Sequence, residues 1–163
     1  MKMNFVMKPI GVIHSPFKEK APIQPGFSTE IGEVAVFDEY RDGLKDLEGF
    51  SHVILIYLFH KSRGYSLRVK PYLDEEKKGL FATRAPRRPN QIGISIVRLL
   101  RKKGGVLVVG GIDVLDGTPL LDIKPYVPGF DNVADVRVGW LEGKYENHLR
   151  SRAFVEVRKV ARR

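Results

Sequence analysis

Short apolar runs, separated by glycine and proline, recur along most of the chain, and only residues 40–47 read as a short helix. The runs at residues 8–14, 32–37, 50–60, 67–72, 79–84, 93–101, 105–114 and 120–127 are mostly rich in valine, isoleucine and aromatics, which suit a pleated, half-buried surface. Gly104 and Gly105 predict a tight hairpin between two of them, and Asp116-Gly117 ahead of Thr118-Pro119 predicts a second turn, giving two consecutive hairpins. Eight strands at this spacing, with almost no helix, predict a mainly β fold: an antiparallel β-barrel-like domain over residues 1–131. Residues 132–163 read as a short, basic C-terminal appendage, ending in an alternating run at 154–160. Residues 53–59 are apolar at nearly every position, as expected of a strand covered on both faces, by a second subunit or by the rest of its own sheet.

Composition narrows the chemistry. With no cysteine among 163 residues, thiolate metal sites, disulfide scaffolds and thiol nucleophiles are excluded, and a reducing, cytoplasmic setting fits best. No apolar run approaches the ~20 residues of a membrane helix, so no membrane partner is expected. The four histidines lack metal-ligand spacing, so no metal is expected either. The paired glycines match neither a dinucleotide fingerprint nor a phosphate loop.

Charge changes the picture more. The net charge is +9, and it is concentrated: residues 84–103 carry Arg84, Arg87, Arg88, Arg98, Arg101, Lys102 and Lys103 with no acid, and residues 144–163 are also basic. Two such blocks favour a nucleic-acid partner.

Three polar, rigid stretches stand out as walls of a site. They are GVIHSPFKEKAPIQPGF at residues 11–27, GLFATRAPRRPNQIGIS at 79–95, in which Pro86 and Pro89 stiffen the loop after Arg84, and DVLDGTPLLDIKPY at 113–126. Within the last, Asp122, Lys124 and Tyr126 are candidates for orienting a substrate or relaying its proton, or equally for a hydrogen-bonded structural turn.

These stretches, with GFSHVILIYLFH at residues 49–60, closely resemble the TsaA-like, YaeB-type family of TrmO-like proteins over residues 8–131. The resemblance implies a dimeric β-barrel enzyme that uses S-adenosylmethionine to methylate the exocyclic N6 amine of threonylcarbamoyl-adenosine beside the anticodon of threonine tRNA. Carried onto this chain, the cofactor contacts fall on Gln24, Pro25, Gly26, His60, Lys61, Arg84, Ile94, Asp113, Val114, Leu115 and Asp116. The family usually has proline where this chain has Gln91, and often arginine where it has Ile23. Arg87, Arg88 and Arg98 are expected to contact RNA. A non-catalytic RNA-binding or cofactor-sensing module, and a methyltransferase for another acceptor, are the competing readings.

Overall fold

The structure, a computed structural model, describes residues 3–22 and 28–146. Among the described residues two compact units emerge, one from those within Met1–Ser66 and Pro86–Pro128 and the other from those within Leu67–Ala85 and Gly129–Arg163.

The first unit is a closed barrel of six antiparallel strands: β1 (Gly11–His14), β2 (Ile31–Val36), β3 (His52–Leu58), β6 (Ile92–Lys103), β7 (Val106–Gly110) and β8 (Thr118–Pro125). Around the barrel they run β1-β2-β7-β6-β3-β8, and β8 closes it by pairing with both β1 and β3. Alternate residues point inward, as the pleat requires. On β3, Val53, Leu55 and Tyr57 are buried, and with Ile13, Val34, Val97, Leu107, Val109 and Leu120 they fill the interior.

Sequence expectation and structure part in several places, each with a local cause. The first strand begins only at Gly11, because Pro9 has no amide to donate to a ladder. The helical stretch becomes two 3-10 turns, Asp38–Leu44 and Leu47–Gly49, interrupted where Asp46 takes a left-handed conformation at φ 65°. The run at 105–114 ends at Gly110, since Gly111 at φ 84° turns the chain out of the ladder. The second hairpin is therefore absent: β7 and β8 do not pair, and residues 111–117 cross the barrel end. The β6–β7 hairpin forms as expected, with Gly104 at φ 57°.

The runs at 67–72 and 79–84 are not barrel strands. They shrink to β4 (Arg68–Val69) and β5 (Lys78–Gly79), which pair only with each other in the second unit. Pro71 cannot donate to a ladder, and Leu80–Ala82 form a 3-10 turn instead of continuing the strand. In the same unit Asp74 binds Lys78 at 3.2 Å and also Lys144, whose ammonium holds the carboxyl well below the usual carboxylate range. The Trp140 indole donates to the Ala82 carbonyl at 2.7 Å.

Candidate functional site

Antiparallel pairing brings four connections to one end of the barrel. Ile13 on β1 lies opposite Thr118 on β8, and Leu58 on β3 lies opposite Ile92 on β6. Consequently the segment after His14, the segment after Leu58, the entry to β6 and the 111–117 crossing are neighbours. Backbone bonds tie them: the Phe59 amide donates to the Gln91 carbonyl at 2.7 Å, that of Asp116 to Phe17 at 2.7 Å, and that of Gly117 to Ile13 at 2.9 Å.

Side chains fasten the same crossing. Ser15 Oγ donates to the Val114 carbonyl at 2.6 Å, and Thr118 Oγ1 donates to the Leu115 carbonyl at 2.6 Å while lying 3.4 Å from His60 Nδ1. Asp116 is the focus of charge. Its Oδ2 accepts from Lys18 Nζ at 2.6 Å, and its Oδ1 accepts from the Ser15 amide at 3.1 Å and faces His14 Nδ1 at 3.3 Å. The Lys18 ammonium and the Ser15 amide hold this carboxyl down at about 2, so Asp116 is an anion at neutral pH. Lys61 Nζ donates to the Lys18 carbonyl at 2.9 Å. Burial, reinforced by the Lys61 charge, lowers His60, so its imidazole is neutral at neutral pH.

Asp113 faces the other way. Its carboxyl points into the barrel, buried, where Ser95 Oγ donates to Oδ1 at 2.6 Å; the Tyr57 hydroxyl lies 2.8 Å from that same Oγ. Desolvation raises the Asp113 carboxyl above the ordinary carboxylate range.

The other predicted residues sort by strand face. On the outer face of β3, β6 and β8 the register sets Ile94, Ile56 and Asp122 in one row and Ile96, Ile54 and Lys124 in the next. A third row holds Arg98 opposite His52, whose ring meets Tyr126 edge-on with centroids 6.4 Å apart. Asp122 and Lys124 form an ion pair at 2.9 Å. With Leu58 and Ile92 these rows make an apolar strip with a polar border, and Ile92, Ile94 and Ile96 are all exposed.

Of the predicted set, His60, Lys61 and 113–116 thus converge at the barrel end, while Ile94, Arg98, Asp122, Lys124 and Tyr126 share the outer face. Arg87 and Arg88 lie on the loop entering β6. Arg84 belongs to the second unit, where the Thr83 hydroxyl, donating to the Leu80 carbonyl at 2.8 Å, fastens the turn before it. Gln24, Pro25 and Gly26 lie outside the described residues. Sequence reasoning missed Ser15, Lys18, Tyr57, Ser95 and Thr118. For Tyr57 a signal existed, because a tyrosine on an inward strand position needs a partner for its hydroxyl.

Among known proteins, residues 12–132 match the family described as the tRNA-methyltransferase O N-terminal domain. The chain is 60% identical over 138 residues to a probable S-adenosyl-L-methionine-binding protein of Pyrococcus abyssi, covering 83% of this chain and 75% of that one. It is 34% identical over 164 residues to the mouse tRNA (adenine(37)-N6)-methyltransferase, covering 94% of this chain but only 37% of the mouse enzyme. A crystal structure of TrmO from Pseudomonas aeruginosa superposes with a TM-score of 0.71 at 43% identity, covering 85% of this chain and 63% of that one.

Proposed function

We infer, because this chain belongs to the tRNA-methyltransferase O N-terminal domain family, that it is an S-adenosylmethionine-dependent methyltransferase acting on the N6 amine of adenine in tRNA. The observation that carries the reading is the fastened 111–117 crossing, which sets the Asp116 carboxylate against Lys18 and the His60 ring near Thr118 at one barrel end. When bound, S-adenosylmethionine supplies an electrophilic methyl group on a sulfonium.

The donor set fits that molecule. Asp116 can accept hydrogen bonds from ribose hydroxyls or an amine, exchanging its contact with exposed Lys18 for them. His60, being neutral, adds no positive charge to compete with the sulfonium. Leu115, partly exposed beside Asp116, can offer apolar surface to an adenine. The reaction forms a nitrogen–carbon bond as a sulfur–carbon bond breaks, and the amine loses a proton, so its main demand is an aligned amine. Asp122 and Lys124 on β8, with Tyr126 just past its end, orient that amine and take up its proton.

The finer reading follows the same chemistry. The acceptor is threonylcarbamoyl-adenosine in threonine tRNA, whose carboxylate suits Arg98 and the Arg87-Arg88 pair. A second copy of the chain covers the apolar strip of Ile54, Ile56, Leu58, Ile92, Ile94 and Ile96, and this supports an isologous homodimer. The cysteine-free sequence suits a cytoplasmic location, and among the described residues no helix is long and apolar enough to cross a membrane.

The test is transfer of labelled methyl from S-adenosylmethionine to tRNA, followed by mass spectrometry of the nucleosides, with threonine tRNA supplied both with and without the threonylcarbamoyl group. Label in an N6-methylated adenosine, dependent on that group, is expected. Cofactor binding without transfer identifies a non-catalytic module, label in another nucleoside identifies another acceptor, and equal rates on both tRNAs remove the threonylcarbamoyl requirement.

A further inference from the structure

Among the described residues, the buried side chains are mostly apolar, and Tyr57, Ser95 and Asp113 form a polar chain among them. Serine has one hydroxyl proton, and Ser95 gives it to the Asp113 carboxyl. The Tyr57 hydroxyl must therefore be the donor to Ser95 Oγ, and the chain runs one way, from β3 through β6 to the crossing. β6 is shaped for this. Gly93, two residues before Ser95 on the same inward face, leaves the space through which the Tyr57 ring passes, since a Cβ there would sit 2.3 Å from Tyr57 Cε2. Phe59 packs edge-on against that ring, with centroids 5.4 Å apart, and its Cζ also borders the Gly93 space.

Burying a carboxyl opposes folding unless it is bonded, and an apolar residue at 113 would fill the barrel without that penalty. What the carboxyl provides instead is direction. It pins Asp113 to β6, while Ser15 and Thr118 pin the next two residues, Val114 and Leu115, to the ends of β1 and β8. Three anchors on three successive residues leave Asp116 little freedom to turn away from the barrel end.

We propose that the Tyr57–Ser95–Asp113 hydrogen-bond chain is a positioning device that holds the 113–117 crossing in the geometry required to bind the methyl donor. The proposal rests on the methyltransferase reading for the identity of that ligand, but not for the anchoring itself. Tyr57, Ser95 and Asp113 are positioning residues acting through Val114, Leu115 and Asp116.

The experiment compares the wild-type chain with Ser95→Ala, Ser95→Thr and Tyr57→Phe by amide hydrogen exchange, S-adenosylmethionine titration and steady-state kinetics on tRNA. In Ser95→Ala the Asp116 and Gly117 amides should exchange about tenfold faster while those of β2 and β7 are unchanged. The cofactor Kd should rise about tenfold, the scale of one charge-assisted hydrogen bond. KM for tRNA should stay the same, Ser95→Thr should restore both values, and Tyr57→Phe should show a smaller effect of the same kind. Unchanged exchange at 116 and 117 in Ser95→Ala overturns the anchor, whatever the wild type binds. Faster exchange with an unchanged cofactor Kd overturns the link to the donor. A wild type that fails to bind S-adenosylmethionine sinks the methyltransferase reading instead, and the exchange data still decide the anchor.

Discussion

Replacing Gly93 with alanine tests how tightly β6 is fitted to the Tyr57 ring. The added methyl would lie 2.3 Å from Tyr57 Cε2 and 2.7 Å from both Tyr57 Cζ and Phe59 Cζ, well inside van der Waals contact. Neither ring can simply swing aside. Tyr57 is only 3% exposed, and its hydroxyl is committed to Ser95. Overpacking of this kind costs about 1–3 kcal/mol, and displacing the ring far enough to break the hydroxyl contact adds about 1 kcal/mol. Alanine recovers about 0.5–1 kcal/mol of backbone entropy relative to glycine in a strand. The net loss is about 2 kcal/mol, which for a chain of this size lowers Tm by about 4–8 °C. Urea denaturation, read through the midpoint at constant m, measures it. Gly49→Ala is the control, since a Cβ at Gly49 meets nothing within 4 Å. A Gly93→Ala protein as stable as the wild type would refute the account of the Tyr57 packing and weaken the positioning argument with it.

Three further outcomes are expected. Leu55→Ala, at a fully buried site on β3, should cost about 2–5 kcal/mol in the same denaturation assay, and a loss below 1 would mean the barrel collapses into the cavity. The Asp116 carboxyl is depressed in the folded chain from 3.8 to about 2, so its stabilisation is complete above pH 3.8 and disappears as the pH falls toward 2; stability profiles of wild type and Lys18→Ala should converge across that window, and parallel profiles would contradict the pairing. Ile96→Glu, placing a charge in the exposed apolar strip, should halve the mass seen by light scattering at micromolar concentration, and a wild type that is already monomeric would remove the dimer.

What the sequence revealed and what it hid follow from the range of the interactions involved. Strands with a strong local signal, such as Ile31–Val36 and His52–Leu58, lie within a few residues of their expected limits, because their β-branched and apolar side chains and the turn residues around them are local in sequence. The placement of β8 between β1 and β3 is not written locally. It depends on partners such as Gly11 and Leu120, more than a hundred residues apart. The opposite fates of Asp113 and Asp116 are hidden for a related reason. In DVLDG the two carboxyls look alike, and only the path of the chain after Gly111 turns one inward to Ser95 and the other outward to Lys18. Tyr57 was concealed differently, since an apolar run makes its ring conspicuous and its hydroxyl easy to overlook. The outer strip was half visible: the continuous apolar stretch at 53–59 signalled a second apolar face, but the matching isoleucines of β6 became its neighbours only through the register.

The closing role of β8 has a consequence for how the molecule comes into being. Until Thr118–Pro125 has been made, β1 and β3 each present an open edge, with unpaired amides and carbonyls flanking a set of aliphatic side chains. A nascent chain emerging from a ribosome therefore passes through most of its length as an incomplete sheet, and a product that stops before residue 118 cannot seal itself. Pairing of β1 with β8 must also span more than a hundred residues of intervening chain, which makes ring closure a slow, late event compared with the β6–β7 hairpin. Premature termination upstream of β8 should thus yield material that aggregates through its two exposed edges.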